Sequence, residues 1–259
     1  MNTLPDIFPE LKDKNGFMII IDPDKSHIWL DPDEEHKRHL DEVVAAQDCL
    51  TSILIGGSTG VTEQSMDRAI KKLVEKGYPS QRIGLVPSSH FTFSTYARYA
   101  VFPFCVNASV PYFHYDFLYK SIDIVNAYHI IPIPTAYLLT SPAEQTTVGR
   151  VLQPDIIKDV RSAERYTKLA NLLRFQTLSL EAGSGAQYPV SSEIVAACRH
   201  NFNSLITVGG GIKTPDDAKK IIDAGANIII IGDAIEKSPQ PREFILSVYD
   251  AVSKNSHFE

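Results

Sequence analysis

The chain has 259 residues, the length of one (β/α)₈ barrel or of two small domains, and its 44% hydrophobic residues can fill a large core. Twenty-five basic against 31 acidic residues leave a net charge of −6, so no diffuse polyanion-binding surface is implied and no nucleic-acid partner is expected. The three cysteines, Cys49, Cys105 and Cys198, are scattered and odd in number, which fits reduced core thiols in a cytoplasmic protein rather than a disulfide framework.

The opening MNTLPDIFPELKDKNG carries no apolar signal stretch, and no run approaches the roughly 20 apolar residues of a spanning helix. Residues 4–14 suit a short helix that would lid the amino-terminal end of a barrel. Residues 17–21 are the first apolar strand, ending in Asp22-Pro23-Asp24-Lys25. A helix over 34–49 precedes strand two at 53–55, which ends in Gly56-Gly57-Ser58-Thr59. A helix over 62–76 and strand three at 83–86 follow. Residues 88–100 are short and rich in Phe and Tyr, so a regular third helix is not expected there. Strand four is placed at 101–106, a helix at 113–128 and strand five at 133–139. Residues 140–154 hold too many turn formers for an element and are expected to be a long loop on the active face. A helix over 156–173, strand six at 177–180 and a helix over 192–200 come next.

The stretch 205–232 has the clearest punctuation. Strand seven, 205–208, ends in Gly209-Gly210-Gly211. A helix start follows, with Thr214 at the cap, Pro215 in the first turn and Asp216 and Asp217 behind it. Strand eight, 227–231, is fully apolar and ends at Gly232, and a helix over 243–252 closes the chain. Both faces of such strands must be buried, as parallel strands under helices require. Eight strand–helix steps without a composition break predict one domain over residues 1–259, an α/β (β/α)₈ TIM barrel modified by an irregular third helix.

Glycines after strands seven and eight let backbone N–H groups close on an anion beside a helix start. Two such turns one unit apart suit the phosphate grip of this barrel class; tight βα turns are the alternative. Asp22 and Ser58 end adjacent strands about 5 Å apart, so a carboxylate and a hydroxyl could share a Mg²⁺ ion with waters and phosphates. Asp22 can equally be a turn residue before Pro23. Glu181, at the end of strand six beside Gly183-Ser184-Gly185, could accept hydroxyl hydrogen bonds or take a proton, or form a salt bridge in the mouth. Tyr188 fits surface packing better than a contact. Residues 91–119 hold 11 of the 23 Phe and Tyr, which suits a lining for a long apolar ligand. A dimer interface or ordinary core would use them too. His90, His114 and His129 show no ligand spacing.

Taken together, DPDK (22–25), GGST (56–59), LEAGSGA (180–186), GGGIKTPDDA (209–218) and AGANIIIIGDAI (224–235) resemble the geranylgeranylglyceryl phosphate synthase family. The family includes bacterial heptaprenylglyceryl phosphate synthases, and the second of its groups, with EAGSGA after strand six, is the closer match. The resemblance is collinear over nearly the whole chain. It implies a prenyltransferase that joins the C3 hydroxyl of sn-glycerol 1-phosphate to a polyprenyl diphosphate, usually geranylgeranyl, to give an ether-lipid precursor. It implies Mg²⁺ on Asp22 and Ser58, and glycerol phosphate on Leu180, Glu181, Ala182, Gly183, Ser184 and Gly185. The phosphate would lie on the backbone of Gly210, Gly211, Gly232 and Asp233, with Glu181 orienting or deprotonating the hydroxyl. The prenyl chain would run along the third-helix side, where Phe91, Phe93, Tyr96, Tyr99 and Phe113 are the expected channel.

The chain departs from the family's pattern in three places. Ser179 stands where a Tyr is usual, and Asp233 where Asn or Thr is usual. TSPAEQTTVG (140–149) replaces an EPGGTVG loop. Phe113 takes the place of a channel-ending Trp, which suggests a chain near C20 rather than C35. A homo-oligomer is expected, with room for peripheral membrane contact at product release. Two alternatives remain open on the residues alone. One is an isomerase or lyase for a phosphorylated intermediate. The other is a degenerate barrel that binds a phosphorylated ligand without turnover.

Overall fold

Short apolar runs cannot satisfy their backbone alone, so they pair. In the computed structural model, which describes residues 3–57 and 59–253, eight of them close into a parallel barrel. The strands are β1 (Gly16–Ile21), β2 (Ser52–Ile55), β3 (Ile83–Leu85), β4 (Tyr99–Cys105), β5 (Ile131–Leu139), β6 (Thr177–Glu181), β7 (Leu205–Gly209) and β8 (Ile228–Ile231). Each pairs with the next, and β8 returns to β1 with Met18 opposite Ile230. The TIM-barrel expectation is met.

Alternation along the strands makes two cores. Outward residues such as Ile19, Ile53, Leu178, Leu180, Ile206 and Val208 are buried under the surrounding helices. Inward residues Met18, Leu54, Tyr99, Ile133, Leu205 and Ile228 meet Leu4, Ile7, Phe8 and Leu11 of the amino-terminal segment, which stoppers the barrel floor. That segment is a helix, Leu4–Ile7, and a 3₁₀ turn, Pro9–Lys12, rather than one helix. Pro9 lacks an N–H and pushes Phe8 out of the helical region.

Most expected helices are present with shifted ends. Thr62 caps Glu63–Glu75 by accepting from Ser65 N at 3.2 Å, and Thr214 caps Pro215–Asp223 by accepting from Asp217 N at 3.1 Å. The helix expected over 156–173 starts at Val160, because Asp159 accepts from Ser162 N at 2.9 Å. The one expected over 34–49 shrinks to His39–Ala45 and a 3₁₀ turn, Gln47–Cys49. Between β3 and β4 no helix forms among the described residues, as the aromatic composition suggested. Thr92 Oγ1 instead ties the segment by accepting from Ser88 N and Ser89 N at 3.0 Å each.

The segment expected to be a structureless loop, 140–154, contains a 3₁₀ turn, Ala143–Gln145, and a helix, Thr147–Leu152. Thr146 starts the helix, with Gly149 N donating to its Oγ1 at 3.4 Å. Ala143 and Leu152 pack with Cys105 and Leu139 in a small cluster over the carboxyl end of the barrel. Among the described residues no helix is long and apolar enough to cross a membrane.

Candidate active site

Because all eight strands run the same way, their ends converge on one rim. A cavity of about 210 Å³ opens there. The residues ending β1, β6, β7 and β8 share it: Asp22, Glu181, Gly183, Ser184, Gly185, Gly210, Gly211, Gly232 and Asp233 all border the same space. Leu180 and Ala182 do not. Their side chains alternate outward and are buried in the core under the helices, which corrects their expected place against the ligand.

Glu181 is held from two sides. Gly183 N donates to its Oε1 at 2.7 Å, and the Tyr137 hydroxyl donates to the same carboxylate. Both bonds favour the ionised form. Burial outweighs them and pushes the Glu181 pKa up to about 7. Glycine at 209 and 210 makes this possible: a Cβ would stand 2.6 Å from Glu181 Oε2 at Gly209 and 2.3 Å from Oε1 at Gly210. Gly210 (φ +80) and Gly211 (φ +70) are also left-handed, a conformation that strains side chains. Burial lifts the Tyr137 pKa well above its ordinary value, and the carboxylate beside it lifts it further.

The β7 and β8 turns form a glycine-lined concavity. Gly232 precedes a four-residue helical turn, Asp233–Glu236. The Asp233 carboxylate turns away to Lys237, whose Nζ lies 2.8 Å from Oδ2. Lys213 also borders the cavity, its Nζ donating to the carbonyl of Gln187 at 2.8 Å. Tyr188 is half exposed, as surface packing predicts.

Asp22 follows β1, the strand beside β8. Burial raises its pKa, while Asp24 N, donating to Oδ1 at 3.0 Å, opposes that rise. The β2 turn closes on it, so that a Cβ at Gly57 would stand 2.3 Å from Asp22 Oδ1. Ser58, the second expected metal ligand, lies outside the described residues. Among the described residues no three acidic, His or Cys side chains converge as a metal cage. A partly desolvated carboxylate bordering the glycine-lined cavity nonetheless fits Mg²⁺, which commonly binds through one or two carboxylates plus water and substrate phosphates.

Sequence reasoning passed over Lys25 and Glu236, which form an ion pair at the cavity wall. Glu236 is 4% exposed and also receives Trp29 Nε1 at 3.5 Å. Lys25 stood within the quoted DPDK, but its partner is 211 positions away and no local pattern marks it. Tyr137 was missed too; its signal is inward parity on β5, one layer below the strand end.

The aromatic segment needs the largest correction. Of its five expected channel residues, only Phe113 borders the cavity. Phe91 is 70% exposed. Phe93 is buried against Phe102 and Phe117. Tyr96 lies on the surface under Lys71 Nζ. Tyr99 faces the barrel floor, its hydroxyl donating to Ser52 Oγ at 2.7 Å. The apolar wall is built instead by Val86, Pro103, Phe113, Phe117, Val148 and Leu152, the last two from the helix over the mouth.

Known proteins show the same architecture. Residues 18–253 match the PcrB family. The geranylgeranylglyceryl phosphate synthase of Thermococcus gammatolerans is 33% identical over 82% of this chain and 84% of its own. That of Thermoplasma volcanium is 32% identical over 92% and 91%. The crystal structure of (S)-3-O-geranylgeranylglyceryl phosphate synthase from Thermoplasma acidophilum, in complex with its substrate sn-glycerol-1-phosphate, superposes with a TM-score of 0.86 at 28% identity, over 98% of this chain and all of the other. The chain belongs to the PcrB family, as a relative of the geranylgeranylglyceryl phosphate synthases.

Proposed function

We propose that the chain is a prenyltransferase that joins the C3 hydroxyl of sn-glycerol 1-phosphate to a polyprenyl diphosphate through an ether bond. The observation that carries this reading is the position of Glu181. Its carboxylate lies against Gly209 and Gly210 in a cavity that also carries the apolar wall of Phe113, Phe117, Val148 and Leu152. The relatives' names and the glycerol phosphate bound to the Thermoplasma acidophilum protein support the same reaction.

In the reaction the C3 oxygen bonds to the allylic C1 of the prenyl group as the bond from C1 to the diphosphate oxygen breaks. Glu181 receives the hydroxyl proton, and its pKa of about 7 suits a base at neutral pH. The Gly183 N–H and the Tyr137 hydroxyl fix the carboxylate in place. The backbone of Gly210, Gly211, Gly232 and Asp233 receives the acceptor's phosphate, with Gly183, Ser184 and Gly185 along the glycerol. Asp22, with Ser58, would hold Mg²⁺, which when bound neutralises charge on the departing diphosphate. The prenyl chain lies along Phe113, Phe117, Val148 and Leu152, which keep water from the allylic centre. Phe113 limits it to a length near C20.

A homo-oligomer belongs to the proposal. Tyr115, Tyr119 and Ile122 stand exposed at helical spacing on and just before Asp116–Ala127, a face a second copy would cover. Product release into a membrane would use a peripheral contact.

The test supplies labelled sn-glycerol 1-phosphate, geranylgeranyl diphosphate and Mg²⁺. An ether product that disappears with a chelator and falls at least about 100-fold in Glu181→Ala is expected. No product from the wild type removes the proposal in favour of a phosphate-binding isomerase or a non-catalytic barrel.

A further inference from the structure

The barrel interior beneath Glu181 is polar on one side and apolar on the other. Alternation along β6 points Thr177, Ser179 and Glu181 inward, and all three border the cavity. The strand register sets Ser179 directly between Tyr137 of β5 and Thr207 of β7, and these two border it as well. The other wall at this depth is aliphatic, formed by Met18, Ile20, Leu54 and Val101. Branched aliphatic side chains ordinarily fill such a barrel all round. Here four hydroxyl-bearing residues occupy three adjacent strands instead.

These hydroxyls are not all spent within the protein. Tyr137 is engaged with Glu181. Thr177 is 1% exposed, and its Oγ1 has no hydrogen-bond partner among the described residues. An unpartnered buried hydroxyl destabilises the fold, while valine in place of threonine fills the same volume at no such cost. Ser179 and Thr207, each 4% exposed, border the cavity with no side-chain hydrogen bond among the described residues, so their hydroxyls call for a partner that enters from the cavity. Ser179 leaves the approach open, because its side chain is the smallest of the four.

We propose that Ser179 and Thr207 form a second acceptor subsite, which takes the additional hydroxyl of a polyol phosphate longer than glycerol phosphate. With a three-carbon acceptor the same position holds water. The inference rests on the proposed seat, with phosphate over Gly210 and Gly211 and the reacting hydroxyl at Glu181. From that seat, carbon added beyond the reacting centre runs down the inner face of β6. Ser179 lies two residues, roughly 7 Å, below Glu181 along that strand.

Calorimetric titration of the full-length protein with sn-glycerol 1-phosphate and with erythritol 4-phosphate tests this, in wild type, Ser179→Ala and Thr207→Val. Both substitutions remove the hydroxyl without adding bulk, and thermal melting confirms that each variant is folded. Wild type is expected to bind both ligands. Each variant is expected to weaken the four-carbon ligand roughly fivefold to tenfold more than the three-carbon one, the worth of one buried hydrogen bond. The proposal is overturned if wild type does not bind erythritol phosphate, or if the variants change both affinities by the same factor. The latter outcome means that the recess holds water only. Failure of glycerol 1-phosphate itself to bind counts against the proposed reaction instead.

Discussion

Tyr137 donates its hydroxyl to Glu181 from one interior layer below, reaching diagonally across β5 and β6 past its own register partner, Ser179. The bond stabilises the carboxylate against a burial that raises its pKa to about 7. The proposed role of Glu181 as base therefore carries a defined pH dependence. As a base it works ionised, so kcat/KM is expected to rise about tenfold per pH unit below 7 and to level off above it. In Tyr137→Phe the carboxylate loses a donor, so the inflection moves to higher pH and the rate at pH 7 falls roughly tenfold. A pH–rate series on both proteins checks this. An inflection that stays put shows that the hydroxyl does not tune the base.

The same shift bears on stability, with the opposite consequence for the fold. Unfolded, the carboxyl ionises near 4.5; folded, near 7. The folded-state pKa is the higher, so stability is fully present below 4.5 and is lost as pH rises through 7. Glu181→Gln removes the titration and can still accept from Gly183 N. The variant is expected to match wild type at pH 4.5 and to exceed it by about 1–3 kcal/mol at pH 8. Denaturant unfolding at the two pH values measures the difference. An unchanged gap removes the raised pKa.

Gly210 holds two functions in one position. A Cβ there would meet Glu181 Oε1 at 2.3 Å and Gly183 N at 2.4 Å, in a backbone of φ +80. Gly210→Ala is expected to cost about 1–3 kcal/mol of stability and to raise KM for glycerol phosphate more than KM for prenyl diphosphate. Gly77, also left-handed but with open space around its Cβ position and away from the cavity, is the control. Gly77→Ala carries only the backbone penalty. Equal KM changes for both substrates in Gly210→Ala would contradict an acceptor seat there.

The barrel was legible because its signals are local. Apolar runs at 17–21, 205–208 and 227–231 end in aspartate or glycine, and each became a strand. The rim residues Asp22, Glu181, Gly210 and Gly232 follow from strand ends alone. The channel was not legible, because it depends on which way a side chain points. Tyr99 faces inward but sits at the barrel floor, while Phe93 packs outside the barrel. Counting aromatics between strands three and four could not separate those cases. The helix Thr147–Leu152 was hidden by Pro142 and Gly149, since six residues are too few to show periodicity. Its cap, Thr146, is pressed against Gly183, whose Cβ position is 2.2 Å from Thr146 Oγ1. That contact joins residues far apart in sequence. The pair of Lys25 with Glu236 is invisible for the same reason.

In the proposed anion seat, Lys237 holds the Asp233 carboxylate aside, its Nζ 2.8 Å from Oδ2. The lysine is 72% exposed, so Lys237→Ala should change stability by less than about 1 kcal/mol. Freed, however, the carboxylate can swing toward the anion seat. Two like charges near a protein surface then repel by about 1–3 kcal/mol. Glycerol phosphate affinity is expected to fall roughly tenfold in Lys237→Ala and to recover in Lys237→Ala with Asp233→Asn. Calorimetry on the three proteins decides it. A single variant that binds normally shows that Asp233 stays turned away without help.

The relocated apolar wall makes the sharpest separation between expectation and structure. Phe113 borders the cavity, whereas Phe91 is exposed and Tyr96 lies under Lys71 on the surface. Phe113→Ala would lengthen the trench by one aromatic ring. The kcat/KM ratio for C25 over C20 diphosphate is expected to rise at least about fivefold, within the 1–3 kcal/mol that a few methylenes command in an apolar pocket. Leu152→Trp, on the helix over the mouth, should do the reverse and shift preference toward C15. Phe91→Ala and Tyr96→Ala should leave the chain-length profile as it is, since neither side chain touches the cavity. Product chain lengths from mixed diphosphates, resolved by mass spectrometry, compare all four variants at once. If Phe91→Ala or Tyr96→Ala moves the profile and Phe113→Ala does not, the prenyl chain runs over the outer surface of the third-helix region and not along Phe113.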